Sequence, residues 1–164
     1  MARIFIAIRF DDELKQELVG LQNALKNRGV EGNYCPYGNL HMTLAFIGEK
    51  YDLPEIRKAV NEVAFEPFSI TLDNLGIFPT KAGVIWCGIK ELEQTTTLAD
   101  RLRDSLTAHG VLYNTQRFVP HISLVQHPSR IVTDIEVHRA SIRIERIYVM
   151  KSERINGELI YSEV

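Results

Sequence analysis

The chain has 164 residues, 45% hydrophobic and 24% charged, a size and balance that suit one folded domain and exclude a disordered chain. Nineteen basic and 21 acidic residues leave a net charge of −2. That lacks the basic excess needed to hold long nucleic acid by neutralising many phosphates, so a nucleic-acid partner would be held by an end or a single nucleotide. No apolar run approaches the roughly 18 residues of a membrane span, the opening Met1-Ala2-Arg3-Ile4 has no secretory cleavage site, and Cys35 and Cys87 form no CxxC pair. These features point to a cytoplasmic protein with free thiols and no membrane partner.

Arg3 to Phe10 alternates and is β-branched, so it reads as a strand. Asp11-Asp12-Glu13 opens a helix with an acidic first turn, Leu14, Leu18, Leu21 and Leu25 form its apolar stripe, and Gly29 ends it. A loop with Tyr34, Pro36, Gly38 and Asn39 leads to a strand over Leu40 to Ile47. Between Gly48 and Ala64 the pattern predicts a short helix after Pro54, with Ile56, Val60 and Val63 inward. Phe68 to Leu72 alternates again.

The same order then returns. Val84 to Ile89 is a strand, Glu91 to Ala108 a helix with Leu98, Leu102 and Leu106, Gly110 its end, and Phe118 to Val125 a strand. Ile4 precedes His41 by 37 residues and Val84 precedes His121 by the same 37, while Gly29-Val30 and Gly110-Val111 are offset by 81. Ser141 to Ile144 and Glu158 to Ser162 supply further strands. The pattern predicts an α+β, bilobal fold of two pseudo-symmetric, helix-backed antiparallel sheets with a central groove. No linker or low-complexity tract divides it, so residues 1–164 read as one domain with an internal repeat, roughly 1–80 and 81–164.

The repeat carries the chemistry. His41-Met42-Thr43-Leu44 and His121-Ile122-Ser123-Leu124 occupy equivalent places. Residues two apart in a strand share a face, so His41 and Thr43 point one way and Met42, Leu44 and Phe46 the other, with His121 and Ser123 repeating the arrangement. Packed about a pseudo-dyad, two imidazoles and two hydroxyls would face each other. That set suits phosphodiester cleavage: one histidine takes a proton from the attacking oxygen, the other protonates the leaving oxygen, and the hydroxyls hold non-bridging oxygens. A single histidine on a strand would more simply be structural, but the motif occurs twice in register. No HExxH or carboxylate cluster suggests a metal, and no cofactor is called for. His109 reads as a helix-end partner of the dipole, His127 as a turn residue near the groove rim, and His138 as solvated.

At these residues the chain resembles the 2H phosphoesterase superfamily, in particular the RNA 2′,3′-cyclic phosphodiesterases also called the 2′-5′ RNA ligase family. The likeness lies in Arg3 to Ile8, in Asn39 to Glu49, in Phe78-Pro79 with Val84 to Trp86, and in Arg117 to Leu124. The resemblance implies metal-independent hydrolysis of an RNA-terminal 2′,3′-cyclic phosphate to a 2′-phosphate. His41 would be the proton donor, His121 the proton acceptor, and Thr43 and Ser123 the phosphate-binding residues. The partners would be RNA 3′ ends or small cyclic nucleotides, and the protein a monomer. Tyr34, Tyr37 and Phe118 are candidate base platforms, and Arg117 is a candidate phosphate or base contact. Ser123 stands where relatives more often carry Thr, and Gln126 where many carry Arg, although strict alternation would turn position 126 away from His121. Two other readings stay open: a non-catalytic module that binds RNA ends or nucleotides, and a phosphoesterase for another cyclic or 2′-5′-linked nucleotide.

Overall fold

The computed structural model describes residues 2–79 and 83–164; the repeat boundary near residues 80 and 81 therefore lies outside the described residues. Strand β1 (Arg3–Arg9) leads into helix α1 (Asp12–Asn27), a short β2 (Asn33–Tyr34) and β3 (His41–Gly48). Helix α2 (Leu53–Asn61), β4 (Phe68–Phe78), β5 (Val84–Ile89) and α3 (Leu92–Ala108) follow. The chain closes with β6 (Ile122–Gln126), β7 (Ser141–Ile144), β8 (Tyr148–Ile155) and β9 (Glu158–Glu163). The helices start as their sequences dictate. Asp11 accepts a hydrogen bond from Leu14 N at 2.9 Å, and Asp52 caps α2 with Pro54 in its first turn.

Two antiparallel sheets result, in the orders β3-β1-β8-β9 and β2-β6-β5-β4-β7. The expected α+β, two-sheet architecture is what is seen, but the sheets are not the two halves of the sequence. Strands of each half join the other half's sheet. β4, next after β3, pairs with β5 in the second sheet; after β6, β7 stays in that sheet beside β4, and β8 crosses to pair with β1 in the first. The helices cross as well. α1 packs on β6 and α3 on β3, so each half closes its core against the other. A single apolar cluster, including Ile8, Leu18, Met42, Leu102 and Ile122, runs through both sheets.

Polar side chains fix these crossings at positions 81 apart. Buried Gln22 of α1 donates to the carbonyls of Leu124 and Cys35 at 3.0 and 2.9 Å. Arg103 of α3 donates to the carbonyl of Leu44 at 3.3 Å and to that of Gln116 at 2.8 Å. Both clamps fall on a bulge. In β3, Thr43 faces Ala7 and Ala45 faces Ile6, leaving Leu44 as an extra residue; in β6, Ser123 faces Trp86 and Val125 faces Ile85, leaving Leu124 extra. Each bulge reverses the alternation beyond it. Phe46, expected on the buried face, is therefore 39% exposed while Ala45 is buried. For the same reason Gln126 is not turned away from the groove but returns to its wall.

Candidate active site

The motif residues converge on one groove of about 940 Å³, lined by His41, Thr43, His121 and Ser123 from the two motif strands. His41 opens β3, whereas His121 lies just before β6, the expected strand over Phe118 to Val125 beginning only at Ile122; in both the backbone two residues upstream supplies the orienting partner. His41 Nδ1 donates to the carbonyl of Asn39 at 2.7 Å, and His121 Nδ1 to that of Val119 at 2.6 Å. A nitrogen bonded to a carbonyl must carry the hydrogen, so in both neutral rings Nε2 is left with its lone pair. At His41 this Nε2 accepts from the Thr43 hydroxyl at 2.7 Å. At the second motif the pattern is more open: among the described residues neither His121 Nε2 nor the Ser123 hydroxyl has a hydrogen-bond partner. Serine lacks the β-methyl that stiffens χ1 in threonine, so its hydroxyl is free to turn to a ligand.

Aromatic walls box in both rings. Phe5 and Tyr161 lie 5.0 and 5.2 Å from His41, ring to ring, and Phe78 and Trp86 lie 4.7 and 6.2 Å from His121. Phe5 and Trp86 are a further pair 81 apart. Burial among these rings lowers the pKa of both histidines. For His41 the bond to Asn39 opposes that effect and the neighbouring His121 adds to it; for His121 only the Val119 bond opposes it. The free groove therefore favours neutral imidazoles at physiological pH, and the mutual repulsion of the pair disfavours protonating both. A pair so arranged can carry one proton between them, which suits it to supply one acid and one base.

Of the other sequence candidates, Tyr34 lines the groove, its hydroxyl donating to the Val30 carbonyl at 2.7 Å. Tyr37, Arg117 and Phe118 do not line it. Tyr37 donates to Asp12 at 2.5 Å and carries the Lys15 ammonium over its ring. Phe118 packs on the core beneath the Arg103 guanidinium, and Arg117 lies exposed in the loop before β6. His127 sits in a turn with φ of 54° and also lies off the groove. His109 is held by Glu62 and Glu55 at 2.7 and 3.2 Å, which raises its pKa, and exposed His138 meets Glu17 at 3.1 Å.

Sequence reasoning missed the wall that β9 and its hairpin provide, with Arg154, Glu158 and Tyr161. No motif marks these residues; only the β8–β9 pairing brings them to the groove. Asn39 ties that hairpin to the motif. Its buried side chain donates to the Leu159 carbonyl at 2.9 Å and accepts from Tyr161 N at 3.3 Å, while its own carbonyl orients His41. Cys35 also lines the groove, but burial pushes its thiol up to about 11, far from a reactive thiolate. Among the described residues no three His, Cys, Asp or Glu side chains converge as a metal site, and no helix is long and apolar enough to cross a membrane.

The model of the 2′-5′ RNA ligase superfamily matches residues 10–156. An RNA 2′,3′-cyclic phosphodiesterase of Thermotoga maritima is 28% identical over 163 residues, covering 92% of this chain and 86% of the relative. Its Escherichia coli counterpart, of the same name, is 31% identical over 136 residues, covering 80% and 75%. The crystal structure of E. coli LigT complexed with 3′-AMP superposes with a TM-score of 0.84 at 24% identity, over 99% of this chain and 94% of that one, and shares the fold.

Proposed function

Because the chain belongs to the 2′-5′ RNA ligase superfamily, we propose that it is a phosphodiesterase that opens RNA-terminal 2′,3′-cyclic phosphates to 2′-phosphates without a metal ion. The observation that carries this reading is the pair of imidazoles on one groove, each with Nδ1–H tied to a carbonyl two residues upstream, so that Nε2 meets only the Thr43 hydroxyl at His41 and has no partner among the described residues at His121. The names of the relatives from T. maritima and E. coli point to the same reaction.

In this reading the cyclic phosphate sits between the rings, its non-bridging oxygens held by the hydroxyls of Thr43 and Ser123. His121, whose Nε2 has no partner among the described residues, takes a proton from water as the water oxygen bonds to phosphorus. The bond from phosphorus to O3′ breaks, and O3′ receives the Nε2 proton of His41, protonated on substrate binding. The product is a 2′-phosphate, and the two rings exchange their proton with solvent to reset. The Asn39 and Val119 carbonyls hold both rings in the required tautomer throughout, and they favour the cationic form when it arises.

The test is turnover of nucleoside and RNA-terminal 2′,3′-cyclic phosphates by purified protein in excess EDTA. Formation of the 2′-phosphate is expected. Binding without turnover would favour the binding-module reading, and activity only with an added divalent ion would overturn the metal-free mechanism.

A further inference from the structure

We propose that Arg154 is a specificity residue that grips the phosphate on the 5′ side of the terminal nucleotide, so that the enzyme prefers RNA ends to isolated cyclic mononucleotides. This rests on the reading of the groove as a cyclic phosphodiesterase site.

Arg154 is the one Lys or Arg among the described residues that line the groove. Its placement follows from strand alternation. Phe5, Ala7, Met150 and Tyr161 cluster on one face of the first sheet, and Ser152 and Arg154 continue that face along β8. Unlike Arg3, Arg9, Arg28 and Arg139, which are ion-paired, Arg154 has no carboxylate partner among the described residues. It donates only to the Gly157 carbonyl at 3.3 Å in the hairpin turn. A guanidinium with most of its five donors unspent beside a phosphate-handling site is suited to a bidentate anion contact. Glu158 also lines the groove and is not ion-paired with Arg154.

The choice of phosphate follows from nucleotide chemistry. A 2′,3′-cyclic phosphate consumes both lower ribose oxygens, so O5′ is the only sugar oxygen from which the strand can continue. Thr43, Ser123 and the two histidines surround the reacting phosphate. Tyr161 touches His41, and Leu159, paired with Arg154, lies two residues farther along β9. That is a step of about 6.6 Å toward the hairpin turn. Arg154 therefore stands one same-face step beyond Tyr161, on the side of the groove away from the histidines, where the next anion outward would be the one on O5′. That anion is a monoester in pN>p and a diester in NpN>p.

The experiment compares kcat/KM for N>p, pN>p and NpN>p in wild type, Arg154→Gln and Arg154→Lys, with the melting temperature of each. Wild type is expected to prefer the two substrates carrying a 5′-side phosphate. Arg154→Gln should reduce that preference about tenfold, the low end for a charge-assisted contact because the side chain is exposed. Arg154→Lys should restore part of it, and raised salt should erode it in wild type and Arg154→Lys but not in Arg154→Gln. Equal losses on all three substrates would overturn the proposal by placing Arg154 on the cyclic phosphate, the base or the fold, and an unchanged ratio would overturn it outright. A wild type that hydrolyses N>p without any such preference would refute this inference alone. Failure to open any of the three would instead refute the functional reading beneath it. A difference between pN>p and NpN>p tells which form of the phosphate is gripped.

Discussion

Gly76→Ala adds one methyl group in β4 and should disable the second half of the groove. A Cβ at Gly76 would overlap the six-membered ring of Trp86, which lies flat across it; even the Cε2 contact would be only 2.8 Å. Gly76 and Trp86 are direct cross-strand partners, so neither backbone can retreat without breaking the β4–β5 ladder. Trp86 must therefore move, and its neighbours on the groove side are Phe78 and His121. Overpacking of this kind costs about 1–3 kcal/mol, which for a chain of this length lowers Tm by roughly 2–12 °C. A shift of His121 by as little as about 1 Å could cost on the order of 10²-fold in turnover. Trp86 is the only tryptophan in the chain, so intrinsic fluorescence reports its displacement directly. Gly20→Ala in the interior of α1 is the matched control. Its Cβ meets nothing within 4 Å, and it should stabilise by about 0.5–1 kcal/mol with emission and turnover unchanged. Parental Tm, emission and kcat/KM for Gly76→Ala would refute the claim that Trp86 is wedged between this glycine and the His121 ring.

Alanine at His41 or at His121 should each lower kcat by on the order of 10²–10⁴-fold; circular dichroism and Tm check that the fold survives. The kcat/KM profile should be bell-shaped, and the free enzyme's histidines should titrate below the usual value of about 6.5, with NMR of the ring protons reporting joint values for the pair. Ser123→Ala removes a hydroxyl free to donate to phosphate, worth about 1.5–3 kcal/mol or roughly 10- to 150-fold in kcat/KM, while Ser123→Thr should stay near parental. His109 works in the opposite direction from His41 and His121. Glu62 and Glu55 raise its folded-state pKa, so its contribution to stability is complete below its unfolded value of about 6.5 and is lost as the pH rises through the higher folded value. The Tm gap between wild type and His109→Gln should therefore be widest near about pH 5.5 and close toward alkaline pH, whereas an unchanging gap would mean the ring acts only by packing.

Local patterns determined much of this protein. The acidic opening of α1, the leucine stripes of α1 and α3, the alternation of the strands and the doubled His-x-Thr/Ser motif need only neighbouring residues, because helix and strand periodicity act within a few positions of the chain. That is why His41, Thr43, His121 and Ser123 could be named from the sequence, and why the tie between each ring and the carbonyl two residues before it requires nothing distant. The tertiary structure decided the rest. Which sheet β4 and β8 join depends on pairing partners far away in sequence, and those pairings made each sheet a mixture of the two halves. The extra residues at Leu44 and Leu124 appear only against the opposing strand; they exposed Phe46 and brought Gln126 into the groove, where unbroken alternation predicted the reverse. Tyr161 and Arg154 carry no local mark at all. They reached the site because a hairpin some 120 residues from Asn39 is held to it through hydrogen bonds from one buried amide, a contact whose partners no sequence window contains.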